Sequence, residues 1–166
     1  MQAILDDLIA ILEEQRGHQA ALVELSERKT QAITQGDADG LHGIVEEEKA
    51  VLGLIKAVER RQSRCVQQLA QALGLPEAQV RMSLIIERAE GTRREALMRL
   101  REELTELIDK QIKHNDINMK LLQMNLDYVQ FMLNTATNQK SGATYGQGGS
   151  IQNGPVAPRQ LLDRKV

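Results

Sequence analysis

Ile108, Ile112, Asn115, Met119, Leu122, Leu126, Val129 and Leu133 follow one another at alternating steps of four and three residues, without a break. That spacing lines the set along one side of an α-helix, whereas a strand, repeating every two residues, would scatter it over both faces. A second line runs beside it through Leu97, Leu100, Leu104 and Leu107, then Gln111, His114, Asn118, Leu121, Asn125, Tyr128 and Met132. The chain must therefore be built around one long helix, expected from Thr92 to about Asn138. Gly91 precedes it, and Thr92 with Glu95 has the form of a capping box, in which hydroxyl and carboxylate satisfy each other's free backbone N–H groups. Strand-forming residues are scarce: aromatics are 2% of the chain and Trp is absent.

Upstream, Leu5, Leu8, Leu12, Leu22 and Ile33 mark a helix over residues 2–35, with Gln15, Gln19, Ser26 and Lys29 at the intervening positions. Gly36-Asp37-Ala38-Asp39-Gly40 reads as a tight turn, since Gly suits a helix end and either Asp can accept backbone N–H bonds at the next helix start. A second helix is expected over residues 41–73, with Leu41, Val45, Leu52, Ile55, Val66, Leu69 and Leu73 on one stripe and Ile44, Val51, Val58 and Cys65 beside it. Gly74-Leu75-Pro76 stops it, and Pro can open a short helix over residues 77–90. The fold class expected is all-α: an elongated antiparallel helical bundle or coiled coil of three long helices and one short one. The bundle domain covers residues 1–139. Residues 140–166, rich in Gly and Pro, are expected to form a flexible tail that cannot bury enough surface to order itself.

Several function classes find no support. Charge is nearly balanced at -2, with a pI near 6.0, so the basic field of a nucleic-acid binder is missing. No apolar run approaches the roughly 20 residues that span a bilayer. The single Cys65 cannot form an internal disulfide, and the N-terminus lacks the regions of a signal peptide, which together suggest a cytoplasmic protein. His18, His42 and His114 fall on three different predicted helices and match no metal motif such as HExxH. Cys65 lies on an apolar stripe and is read as a buried, inert thiol. Glu46, Glu47 and Glu48 suit the first turns of a helix, where negative charge meets the positive end of the dipole. With no phosphate-binding glycine motif and no clustered catalytic groups, no cofactor, metal or enzymatic activity is expected.

What remains is surface for partners. Met119, Met124 and Met132 sit among Leu121, Leu122, Leu126, Val129, Phe131 and Leu133, which spreads apolar character around most of the last helix. Either other helices of the bundle surround it, or part is left for a partner helix, for which adaptable Met side chains are suited. Polar residues at seam positions, namely Gln15, Gln19, Glu48, Gln62, Gln111, His114, Asn115, Asn118 and Asn125, are expected inside the bundle, fixing register while weakening it. The pattern leaves open whether the helix over 77–90 lies in the C-terminal groove as a placeholder.

Two long N-terminal helices joined by a Gly-Asp turn, Glu47-Glu48-Lys49 followed by Leu52, an Asn-dotted last helix, and the tail motif Tyr145-Gly146-Gln147-Gly148-Gly149 together resemble the FlgN-type flagellar export chaperones. The resemblance follows the order of elements along the whole chain, and its most specific part is the Y-G-x-x-G pattern of Tyr145, Gly146 and Gly149. It implies a cytoplasmic chaperone that binds the C-terminal helical segments of hook-filament junction proteins and delivers them to the flagellar type III export gate. By resemblance the client surface maps to Ile112, Met119, Leu122, Leu126, Val129 and Leu133. The contact with the cytoplasmic domain of the export-gate membrane protein maps to Tyr145, Gly146 and Gly149, and a stalk component of the export ATPase is a further partner. The competing reading is a structural or regulatory coiled-coil adaptor of a secretion apparatus, oligomeric through the seam from Ile108 to Leu133.

Overall fold

A computed structural model describes residues 1–140. The described chain divides into two units, Met1–Asp127 and a second that begins at Tyr128. The elements are α1 (Gln2–Gln35), α2 (Ala38–Leu73), a 3-10 turn (Glu77–Gln79), α3 (Met82–Arg88) and α4 (Gly91–Lys140), with no strand among the described residues. The all-α bundle expected from the heptads is the fold observed. The tail positions from 141 onward, including Tyr145, Gly146 and Gly149, lie outside the described residues.

α1 ends where the sequence pattern places it, at Gly36 with φ 69°. In that left-handed conformation Gly36 N–H donates to the Ile33 carbonyl and Asp37 N–H to the Ala32 carbonyl, the paired bonds by which a helix end satisfies its last carbonyls. Gly74, φ 65°, repeats the arrangement after α2, with Gly74 N–H on Gln71 and Leu75 N–H on Ala70. α2 begins at Ala38, three residues before the expected start, because the Asp37 carboxylate caps it by accepting from Gly40 N–H at 2.9 Å.

Two expectations are corrected. Residues 77–90 do not form one helix: the 3-10 turn is followed by non-helical Val80 and Arg81, and only then by α3. On a continuous helix, at 100° per residue, Val80 and Ala89 would point in opposite directions. The break lets both enter the same core, where they are 9% and 2% exposed. α4 starts at Gly91, so Thr92 lies inside the first turn rather than ahead of it. The reciprocal Thr92 and Glu95 bonds are not formed among the described residues.

Cross-helix pairs set the topology of the first unit. Arg28 makes a two-pronged pair with Glu47 at 2.7 and 2.9 Å, Lys29 pairs with Glu48, and Arg61 with Glu14 at 2.5 Å, so α1 and α2 run antiparallel. Asp6 pairs with Arg93 at 2.6 Å, Arg16 with Glu103 at 3.0 Å and Glu27 with His114 at 3.4 Å; α4 therefore runs parallel to α1. The 3-10 turn and α3 make the connection at the end where α1 begins. The Arg93 hydrogen bonds hold the Asp6 carboxyl below its ordinary value of 3.8, and those of Arg28 hold Glu47 below its ordinary 4.5. The Asp6–Arg93 and Arg28–Glu47 pairs are open to solvent and screened, so they set register more than stability.

Two apolar clusters form the core, and they differ in which helices they join. The first gathers Leu5, Leu8 and Leu12 of α1, Val58, Cys65 and Leu69 of α2, Ile85 and Ile86 of α3, and Leu97, Leu100 and Leu104 of α4. Burying each such side chain contributes roughly 1.5–3 kcal/mol. Cys65 lies within it as expected; burial, aided by the charge of Asp7, pushes its thiol up, and its S–H donates to the Ile4 carbonyl at 3.4 Å. The second cluster joins α1 and α2 alone, through Leu22, Leu25, Ala32, Ile44 and Ile55. α2 turns inward through Ile44, Ile55, Val58, Cys65 and Leu69, so Leu52, placed on its main stripe by the sequence, faces solvent instead.

Candidate partner-binding face of the last helix

Beyond Leu104, α4 contacts α1 through polar groups. Asn118, 3% exposed, donates from Nδ2 to the Ser26 carbonyl at 3.0 Å and accepts at Oδ1 from the Thr30 hydroxyl at 2.7 Å. One turn pair further, Asn125 Nδ2 donates to the Ile33 carbonyl at 3.4 Å. His114 Nε2 lies 3.4 Å from Glu27. The line of Leu97, Leu100, Leu104, Leu107, Gln111, His114, Asn118, Leu121 and Asn125 is thus the one that meets α1; beyond the first apolar cluster polar side chains enter it, with Leu107 and Leu121 half-buried among them.

An amide buried between helices holds register because only one alignment pairs both its oxygen and its nitrogen. Asn118→Ala is expected to lower stability by about 1–2 kcal/mol, through loss of two hydrogen bonds and the partner groups left behind. Urea denaturation of the variant checks this, and an unchanged midpoint would show that the amide contributes nothing. Ser26 Oγ, fully buried beside this site, has no partner among the described residues.

The other line of α4 faces away. Within the first unit Ile108, Ile112, Met119, Leu122 and Leu126 are all exposed, from 38% at Leu122 to 72% at Met119. Ile112 to Leu126 spans about 21 Å at 1.5 Å per residue. Asn115, expected inside the bundle, belongs to this line and is exposed for the same reason. Ile117 and Met124, also exposed, fall on the opposite side of α4 from this row at 100° per residue. Ile117 went unmarked in the sequence because neither helical line contains it. In the second unit Tyr128, Val129, Phe131, Met132 and Leu133 are each at least half exposed. The connector is not a placeholder on Ile112 to Leu126: Ile85 and Ile86 of α3 are committed to the first apolar cluster.

Monomeric proteins seldom leave so long an apolar row in solvent unless something binds it. The arrangement offers a helix-shaped, unbranched apolar strip with adaptable Met side chains, suited to an amphipathic helix. Among the described residues no group of three or more His, Cys, Asp or Glu side chains is placed to hold a metal ion, and no helix is long and apolar enough to cross a membrane. His18 has Glu14 at 3.8 Å as its neighbour.

Comparison with protein-family models matches residues 1–153 to the FlgN protein family. The chain belongs to the FlgN family. A match over that span takes in all four helices and reaches past Tyr145, Gly146 and Gly149. Members of the FlgN family serve as flagellar export chaperones, and binding flagellar proteins is the activity the family assigns to this chain. Searches of the curated proteins and of the solved structures gave no match. For a FlgN-family chaperone the unpartnered α4 row is the natural place to look for a client.

Proposed function

We propose that this FlgN-family chaperone works in the cytoplasm and holds the C-terminal helical segments of hook-filament junction proteins along α4, against Ile112, Met119, Leu122 and Leu126. By sequence register Val129 and Leu133 extend the same row. The observation that carries the reading is the division of labour on α4: its amide-bearing line meets α1, while its apolar line is left without a partner in the first unit. Covering a client's apolar helix in this way prevents its premature association, and binding needs no covalent step. Delivery to the export gate is assigned, from the family resemblance, to Tyr145, Gly146 and Gly149. A tail tyrosine offers a large apolar contact with one polar handle at little entropic cost.

Isothermal titration of the chaperone with the C-terminal segment of each hook-filament junction protein tests the proposal. One-to-one binding is expected, retained in Tyr145→Ala, which should instead lose affinity for the cytoplasmic domain of the export-gate protein. Failure of every segment to bind, with a stable oligomer by light scattering, would replace this reading by the coiled-coil adaptor.

A further inference from the structure

A shallow groove of about 500 Å³ opens between α3 and the N-terminal part of α4, with Ile86 on the α3 side. On α4 it is lined by Met98 and Thr105, by Arg94 and Arg101, and by Glu102 and Glu106. Counting back from Ile112 in steps of seven reaches Thr105 and Met98, and from Ile108 reaches Arg101 and Arg94. The groove is therefore the continuation of the exposed apolar row, hidden in the sequence because polar residues occupy three of its four positions. Met98 to Leu126 is about 42 Å of helix.

The charges around the groove are sorted. At 100° per residue, Arg94 and Arg101 fall on one side of Met98, and Glu102 and Glu106 on the other. None of these four exposed side chains has an ion pair among the described residues, whereas Arg93 and Arg99, on the same turns of α4 but toward α1, pair with Asp6 and Glu13. Two unpaired cations along one edge and two unpaired anions along the other make a surface that matches a helix carrying the opposite arrangement.

Resting on the proposed client binding along α4, we infer that this groove selects the direction in which the client helix lies. The helix it takes has an apolar seam edged by acidic residues on the side that meets Arg94 and Arg101 and by basic residues on the side that meets Glu102 and Glu106. Turning such a helix end for end exchanges its two edges, setting like charge against like on both sides, so only one direction is accepted. Charged edges of this kind set register and exclude wrong partners more than they add affinity.

The test is titration of the full chain with a junction-protein C-terminal segment at low and high salt. Arg94→Glu combined with Arg101→Glu is expected to weaken binding about tenfold at low salt and to lose that effect at high salt. Exchanging acidic for basic residues along one edge of the segment should restore affinity to that variant and weaken it for the wild type. Arg94→Gln with Arg101→Gln, which preserves helix formation, should give an intermediate loss. If the charge-reversed chain, folded by circular dichroism, binds the segment as the wild type does while Leu122→Asp does not bind, the directional role is overturned. If the wild-type chain binds no segment, the client reading falls and this one with it.

Discussion

Leu122→Asp should leave the bundle folded and weaken binding of a junction-protein segment by about a hundredfold or more. The two effects separate because Leu122 is among the least exposed members of the outer row yet lies outside both apolar clusters. In the free protein the change costs less than about 1 kcal/mol, mostly helix propensity. In the complex the same position would be covered by the client's apolar seam, and a carboxylate desolvated there without a partner costs more than the roughly 2.7 kcal/mol that corresponds to a hundredfold. Titration of the variant, alongside its urea melting curve, gives both numbers. Unchanged affinity in a folded variant would move the client site off this row. A collapse in stability would instead show that Leu122 is core.

Leu97→Ala should produce the opposite pattern, a loss of about 3–4 kcal/mol in stability. Leu97 and Leu100 are 0% exposed, and with Leu104 they are the residues by which α4 joins the cluster shared with α1, α2 and α3. Truncation there loses the transfer free energy of the side chain and leaves a cavity that rigid neighbouring helices close poorly. Against a total of about 5–15 kcal/mol for a domain, that is a large fraction. The consequence should be felt first in α4, whose other contacts with α1 are polar: the ion pairs of Arg93, Arg99 and Glu103 with Asp6, Glu13 and Arg16, and the Asn118, Asn125 and His114 bonds. Equilibrium urea unfolding followed by circular dichroism measures it. A loss below about 1 kcal/mol would mean that α4 is not anchored through this cluster.

Much of the fold could be read from local chemistry. Gly36 and Gly74 end helices because backbone geometry at those two positions is decided within a few residues, and the Leu5, Leu8 and Leu12 row is buried because its spacing leaves it no other face. The connector was misread as one helix because its break answers to a distant demand. Val80 and Ala89 both have to reach a core formed by α1, α2 and α4, and propensity within residues 77–90 carries no record of that. The exposed Leu52 has the same origin: α2 carries more apolar residues than one seam can use, and which of them turn inward depends on where α1 sits.

The last helix marks the boundary most clearly. Its sequence alone determined that it is helical, long, and lined on two sides, because a 4-3 spacing has no other regular solution. Its scattered Asn residues were one of the features that resembled the FlgN family. Which of the two lines faces the bundle was not decided by apolarity, since the more apolar line from Ile108 to Leu126 is the one left in solvent. Tertiary structure decided it: Leu97, Leu100 and Leu104 on the inward line are fixed in the core shared with α1, α2 and α3, and further along the same line the Ser26 carbonyl and the Thr30 hydroxyl on α1 match the amide of Asn118. A buried amide gains its stability only from a partner that another part of the chain brings to it.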